Sequence, residues 1–320
     1  MASFTKPPYD PQLWEVLKNI PQEPPLSLET LQAERDGLIA EHSPEKVLTD
    51  PAISHREVNI PGPGGELMVS ILEAKDSTRT NRPGIYYIHG GCFIFGTRLT
   101  WIKPCFEWIK QCDAVLVTVE YRLAPEHPDP APIEDCYAGL KWFSETASKL
   151  GVNPDQILLA GFSAGGALAA GIALMARDRN GPKTCAMCLI APMLDDQKTT
   201  ISTSQFLTEG ALPGETNAIA WSWLLQGRTG EDVSIYAAPA RAKDLSGLPD
   251  TWVDVGSAEV FRDECVAFAG KIWEAGGGCE LHVWRGAWHG FDVGVPDANV
   301  TKTALETRLG WIKRVLGVEV

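Results

Sequence analysis

The segment at residues 161–166, Gly-Phe-Ser-Ala-Gly-Gly, combines residue types that can carry out nucleophilic chemistry. An apolar run at residues 156–160 precedes it, and a stretch of small residues at 167–174 follows it. This order predicts a strand, a sharp Gly-x-Ser-x-Gly turn and a helix, which would expose the Ser163 hydroxyl to a substrate and a base. The Ala164 amide would face any negative charge that develops beside the serine. Ser163 is the candidate nucleophile; the competing interpretation is a serine that only caps the helix.

A nucleophilic serine needs a histidine base, and the base needs an acid that fixes its tautomer. In hydrolases with this turn the order along the chain is serine, acid, histidine. Two histidines follow Ser163, and His282 falls inside the alternating run at residues 281–284. His289 lies in the loop after that last strand, so we expect it to be the base. Glu259 follows an earlier strand and is the expected acid.

Three aspartates are the alternatives to this acid. Asp263, at the start of the next helix, is the second candidate, while Asp254 lies inside the predicted strand. Asp292 is too close in sequence to His289 to reach behind its ring easily.

A second glycine-containing loop, His-Gly-Gly-Cys at residues 89–92, follows an early strand-like run. Donors for an oxyanion come from such a loop, because glycines let backbone N–H groups approach the acyl oxygen closely. We expect the amides of Gly91 and Cys92, together with that of Ala164, to be the donors, with Gly90 shaping the loop.

The composition excludes several classes of function. The 320 residues include 44% hydrophobic and 22% charged residues, and the formal net charge of −13 argues against nucleic acid or an anionic membrane surface as a partner. No stretch is apolar enough to span a bilayer and no secretory signal is visible, so a cytoplasmic protein is expected. The six histidines and eight cysteines lack zinc or disulfide spacing, and Cys185-x-x-Cys188 opens an apolar run typical of packing residues. Neither a metal nor an organic cofactor is expected.

Strand-like and helix-like runs alternate along most of the chain, which predicts a parallel sheet with helices between its strands. The first two strand-like runs flank a Pro/Gly-rich turn and predict a hairpin. The expected strands are residues 54–60, 66–72, 84–88, 114–120, 156–160, 185–191, 251–255 and 280–284. The expected helices are residues 101–111, 133–149, 165–177, 262–275 and 301–315.

Residues 195–248 break this alternation, since they contain no strand-like run and are rich in large apolar residues. An insertion of this kind at the carboxyl edge of a parallel sheet predicts a lid over the ligand crevice, and a plain helical connection is the alternative. We therefore divide the chain into N-terminal cap helices (1–50), a catalytic core (51–194 and 249–320) and a cap insertion (195–248).

With these motifs in place, the sequence resembles the hormone-sensitive-lipase-like branch of the α/β hydrolases, the fold-3 esterases. The resemblance covers roughly residues 55–315 and includes Tyr-Arg-Leu-Ala-Pro-Glu-His-Pro at residues 121–128 and Arg-Asp-Glu at 262–264. It implies an eight-stranded, mostly parallel sheet with helices on both faces and a helical cap, and it matches Ser163, Glu259 and His289 to nucleophile, acid and base. The sequence of residues 255–264 further resembles that of fungal carboxylesterases and acetyl esterases.

Three positions depart from the family pattern. Glu259 stands where an aspartate is usual. Cys92 replaces the third glycine of the oxyanion loop, so bulky acyl groups and tertiary-alcohol esters should fit less well. Phe162 replaces the aspartate before the nucleophile and removes a polar contact beneath the turn, although activity should survive.

The sequence thus predicts a serine carboxylic-ester hydrolase acting through an acyl-enzyme. Short-chain esters of hydrophobic or aromatic alcohols are the expected substrates, with pocket residues Phe93, Phe162, Phe206 and Trp221. The alternatives are an acyltransferase or a dedicated pathway hydrolase on the same fold, or a non-catalytic small-molecule receptor. The expected partner is a small ester, and a homodimer is possible by analogy alone.

Overall fold

One sheet of eight strands forms the centre of the computed structural model, which describes residues 4–21 and 26–318. Its spatial order is β1-β2-β4-β3-β5-β6-β7-β8. β2 is antiparallel to β1 and to β4, and the other neighbouring pairs are parallel, so the predicted mostly parallel sheet is confirmed. The strands are β1 (Ile53–Gly62), β2 (Gly65–Ala74), β3 (Arg82–Ile88), β4 (Val115–Val119), β5 (Val152–Phe162), β6 (Ala186–Ile190), β7 (Asp250–Gly256) and β8 (Cys279–Trp284).

Helices cover both faces of this sheet, so every residue of the central strands β3, β4 and β6 is buried. Short 3-10 turns occur at Ala147–Leu150, Gly230–Asp232 and Pro239–Arg241. The α-helices are α1 (Pro11–Leu17), α2 (Leu31–Glu41), α3 (Pro44–Val47), α4 (Cys105–Cys112), α5 (Ala131–Thr146), α6 (Ala164–Asp178), α7 (Ile201–Gln205), α8 (Gly214–Leu225), α9 (Arg262–Glu274), α10 (Phe291–Gly294) and α11 (Asn299–Val315).

The predicted elements all form, with differences at their ends. The helix expected from residue 101 begins only at Cys105, because Trp101 has a positive φ of 54° and Pro104 occupies the N-cap position. The helix expected over 133–149 ends at Thr146 and tightens into a 3-10 turn. The two cysteines of the Cys-x-x-Cys pair are free thiols, with Cys188 buried in β6, so their interpretation as packing residues is confirmed.

The N-terminal helices are anchored by few residues. In α1, Leu13 and Leu17 are buried against the segment that contains Trp288, whose indole Nε1 donates to the carbonyl oxygen of Leu13 at 3.3 Å. In α2, Leu31 is buried, whereas Ile39 is 45% exposed. This helix therefore needs another anchor.

Within residues 195–248 no strand forms, as predicted, and the chain makes the two helices α7 and α8. The α8 helix buries Trp221 and Leu224, and the carbonyl oxygen of Leu224 accepts the N–H of Asp129 at 3.0 Å. None of the helices in residues 4–21 and 26–318 has the length and apolar character needed to cross a membrane.

Candidate active site

The turn between β5 and α6 holds Ser163 in a conformation that L-residues rarely adopt, with φ 56° and ψ −120°. Such a conformation costs on the order of 1–3 kcal/mol and persists only where its surroundings enforce it. Glycine is required on both sides, because a Cβ at Gly161 would clash with the carbonyl of Gly165, and a Cβ at Gly165 would clash with that of Ile88. Ser163 itself is only 2% exposed.

Three side chains form a hydrogen-bonded line at this turn. The Nε2 atom of His289 lies 3.0 Å from the Oγ atom of Ser163, and its Nδ1 atom lies 3.1 Å from an Oε1 of Glu259. The other carboxylate oxygen of Glu259 accepts the Gly256 N–H at 3.1 Å. A carboxylate can only accept, so the proton resides on Nδ1 and leaves Nε2 free to take the serine proton.

The alternative acids have other partners. Asp263 accepts the Ser202 N–H and the Arg262 Nε–H, each at 2.7 Å. Asp254 and Asp292 both accept from the buried Arg308 guanidinium, at 2.7 and 2.9 Å.

Burial opposes the charge of Arg308, but the two facing carboxylates outweigh it and raise the pKa of this guanidinium. The cluster joins α11 to β7 and to α10, which begins two residues after His289. It therefore supports the loop that presents the imidazole. His282, the other downstream histidine, stays on β8, where its ring stacks on Trp252 at 4.2 Å between centroids.

The loop after β3 places unpaired amides beside the serine. A Cβ on Gly90 would lie 3.2 Å from the Ser163 Cβ, so this loop passes directly over the turn. Gly91, Cys92 and Phe93 follow with positive φ values of 120°, 54° and 64°. Within the described part of the chain, no protein acceptor pairs with the N–H groups of Gly91, Cys92 or Ala164.

His89 supports this loop from below. It is fully buried, and burial lowers its pKa to about 4, so the ring is neutral near pH 7. Its Nδ1–H donates to the carbonyl oxygen of Gly90 at 2.7 Å, and its ring stacks on Tyr121 at 4.2 Å.

Comparison with known proteins agrees with this fold. A family model described as the alpha/beta hydrolase fold matches residues 85–293. The chain belongs to the α/β-hydrolase fold family.

The relatives of this α/β hydrolase include Esterase LipI of Mycobacterium tuberculosis, which is 31% identical over 291 residues, 89% of this chain and 88% of LipI. Carboxylesterase NlhH of the same species is 33% identical over 216 residues, 67% of each chain. The solved structure of a bacterial heroin esterase superposes with a TM-score of 0.89 at 33% identity, covering 96% of this chain and 98% of that one.

The resemblance to the hormone-sensitive-lipase-like branch is confirmed, and so is the expected enzyme class, because these relatives are named esterases and carboxylesterases. The narrower resemblance to fungal esterases finds no support in them.

The four expected pocket residues of this α/β hydrolase lie in three places. Phe93 and Trp221 pack together, with ring centroids 5.2 Å apart, and so bring α8 next to the loop of unpaired amides. Phe206 packs on Tyr9 at 6.3 Å. Phe162 lies behind the imidazole of His289 and stacks on that ring at 5.2 Å.

Two aromatic contacts of the site were not anticipated from the sequence. Phe261 meets the His289 ring edge-on at 5.0 Å, and Trp101 meets the Phe162 ring edge-on at 5.4 Å. The position of Phe261, two residues after Glu259, was the only available signal. Among the described residues, no group of three or more His, Cys, Asp or Glu side chains is arranged to hold a metal ion.

The Cys92 thiol adjoins the unpaired amides but is not built as a nucleophile. Its side chain is buried, and burial raises its pKa to about 12. The thiol is therefore almost fully protonated at neutral pH, and the thiolate form that reacts is rare.

Proposed function

We propose that this α/β hydrolase is a serine carboxylesterase in which Ser163 is the nucleophile, His289 the base and Glu259 the acid. One observation carries the proposal, namely the continuous line of hydrogen bonds from Ser163 Oγ through the imidazole to the Glu259 carboxylate. A glutamate supplies the same charge as the more usual aspartate on an arm one carbon longer.

In the proposed reaction, His289 Nε2 accepts the serine proton while Ser163 Oγ attacks the ester carbonyl carbon. Glu259 stabilises the imidazolium that forms, and the imidazolium then protonates the departing alcohol. Water, deprotonated by the same imidazole, then attacks the acyl carbon. The bond from that carbon to Ser163 Oγ breaks, the imidazolium returns the proton to Oγ, and the acid leaves.

The amides of Gly91, Cys92 and Ala164 are the proposed oxyanion donors. They have no protein acceptor in the described residues and lie on the loop and helix start that flank the serine. They are fixed before the reaction begins, so charge developing on the carbonyl oxygen meets donors that need no reorganisation. Loss of one such donor typically lowers kcat about 100- to 1,000-fold.

We further propose short-chain esters of hydrophobic or aromatic alcohols as substrates, with residues 195–248 and the N-terminal helices as the cap. The paired rings of Phe93 and Trp221 offer an apolar surface beside the proposed oxyanion donors. The buried Cys92 side chain stands among these donors where the family pattern has a glycine, which favours small acyl groups.

The first test compares wild type and Ser163→Ala on p-nitrophenyl acetate, butyrate and octanoate. We expect turnover to fall with acyl length, and the variant to lose activity by about 10⁴-fold or more, as when a nucleophile is removed from comparable sites. A fluorophosphonate should label the wild type at Ser163 in peptide mass spectrometry. Undiminished turnover by folded Ser163→Ala would refute the proposal.

A second arm separates hydrolysis from acyl transfer. With a primary alcohol added as acceptor, a hydrolase still forms mainly the free acid, whereas dominant formation of the new ester would identify an acyltransferase.

A further inference from the structure

The guanidinium of Arg35 reaches from α2 to the segment that follows the proposed oxyanion donors. Its Nε donates to the carbonyl oxygen of Ile94 at 2.8 Å, and its Nη2 donates to that of Ala124 at 2.7 Å. Nη1 and Nη2 also donate to the two carboxylate oxygens of Glu126, at 2.8 and 2.9 Å, as a bidentate pair. The side chain is only 11% exposed, so the N-terminal part of the chain contributes to this loop a largely buried cation that makes four hydrogen bonds.

The loop to which Arg35 hydrogen-bonds is strained. Cys92 and Phe93 are L-residues in the left-handed region, directly after Gly91 at φ 120°. The Phe93 carbonyl oxygen accepts the N–H of Ala124 at 3.0 Å, and the Gly91 carbonyl oxygen accepts that of Ile94 at 2.9 Å. The two carbonyl groups that accept from Arg35 thus belong to Ile94 and Ala124. The N–H groups of these same two residues bond to the carbonyls of the strained loop.

We propose that Arg35 is a positioning residue that keeps the Gly91 and Cys92 amides directed at the developing oxyanion. The inference rests on the proposed serine esterase function. The Ile94 carbonyl shares its peptide unit with the Phe95 N–H, which donates to the Gly91 carbonyl oxygen at 2.8 Å. Rotation of that peptide would break this bond, and Arg35 opposes the rotation by bonding the Ile94 carbonyl. A planar guanidinium can bond both carbonyls and a carboxylate at once, whereas an ammonium group has no such fixed fork.

This role also explains how α2 stays in place. Leu31 is the buried apolar residue of this helix, and Arg35 lies one turn further along the same face. The same contacts of Arg35 therefore dock α2 and fix the oxyanion loop. In this way the helix contributes to the rate of the chemical step.

The test is Arg35→Met, measured by kcat and KM on p-nitrophenyl acetate. We expect kcat to fall about 10- to 100-fold with KM changed by less than about threefold, because only transition-state interactions are lost. A phenyl trifluoromethyl ketone, which adds to Ser163 and carries an oxyanion, should bind more weakly by a similar factor. The corresponding methyl ketone should bind unchanged. A loss confined to KM, or equal weakening of both ketones, would overturn the inference.

Two matched variants isolate the contacts. Glu126→Gln removes the ion pair but keeps the bonds of Arg35 to both carbonyls, so its loss of kcat should be much smaller; an equal loss would contradict the proposal. Arg179→Met breaks a comparable bidentate pair with Glu134, one residue past the end of α6 farthest from Ser163, and should leave activity unchanged.

If Arg35→Met does not fold, Arg35→Lys replaces it and should show the same pattern at smaller size, with unchanged kcat overturning the inference. A wild type without esterase activity would instead refute the proposed function, so the two failures are distinguishable.

Discussion

The ring of Phe162 lies against the face of the His289 imidazole, with centroids 5.2 Å apart and an interplanar angle of 17°. The residue before the nucleophile, where the family usually has an aspartate, therefore restrains the rotation of the proposed base. The edge of Phe261 restrains the same ring from another direction.

Replacing Phe162 by Leu should lower kcat about tenfold, with little change in KM. Aromatic pairs contribute about 0.5–1.5 kcal/mol beyond burial. Without the Phe162 ring, the imidazole can rotate away from its hydrogen bonds to Ser163 and Glu259, which lowers the rate. Steady-state kinetics measure kcat and KM separately. Phe268→Leu, the same change in the buried face of α9, should lower the melting temperature without lowering kcat. A Phe162→Leu enzyme with wild-type kcat would show that the stack has no role.

Replacing Glu259 by Gln should lower kcat/KM by about 10³- to 10⁴-fold, because a neutral amide cannot stabilise the imidazolium. Glu259→Asp keeps the charge on a shorter arm and should retain more activity than the amide variant. Kinetics on one p-nitrophenyl ester, with circular dichroism as the check on folding, compare the two. The reverse order of activities would argue against Glu259 as the acid.

Glu264→Gln should stabilise the protein more at pH 8 than at pH 5. Burial raises the pKa of this carboxyl well above its ordinary value, an effect that the N–H groups of Leu194 and Asp195 only partly oppose. The unfolded state therefore loses its proton at lower pH than the folded state, and the contribution of Glu264 to stability falls as pH rises above about 4.5.

Urea unfolding across this pH range measures the effect. Glu145→Gln, in an exposed pair with Lys141, should show no such trend. A difference between Glu264→Gln and wild type that does not grow with pH would mean that Glu264 is ionised in the folded protein.

Cys92→Gly should broaden the range of esters accepted. Glycine removes a side chain beside the proposed oxyanion donors at a position whose φ of 54° suits it. We expect kcat/KM for a tertiary-alcohol acetate to rise about tenfold relative to p-nitrophenyl acetate. The control is Cys112→Ala, a buried thiol in α4, which should leave this ratio unchanged. An unchanged ratio in Cys92→Gly would show that the thiol does not limit the pocket.

Much of the site could be predicted because its residues lie at the ends of strongly apolar strands. Ser163 follows β5 and Glu259 follows β7, so topology alone brings them to the same edge of the sheet. The choice between Glu259 and Asp263 rested on position, and the structure separates them by partners, since Asp263 is bonded to Ser202 and Arg262.

The contacts that tune the site could not be predicted from the sequence. The direction of the Phe162 ring depends on the close passage of Gly90 and on Trp101, a residue expected in a helix but found before it. Arg35 gave no signal because its partners lie 59 to 91 residues away in sequence, and two of its four hydrogen bonds go to backbone carbonyls. Such acceptors exist at every residue and leave no pattern in the side chains.

The near-complete burial of Ser163 has a consequence for the effect of salt on turnover. With 2% of the residue exposed, almost no bulk water or dissolved ion contacts it. Charges that develop between Ser163 and His289 are therefore screened less than charges on an open surface. Added salt should change kcat little, although it weakens ion pairs elsewhere on the surface.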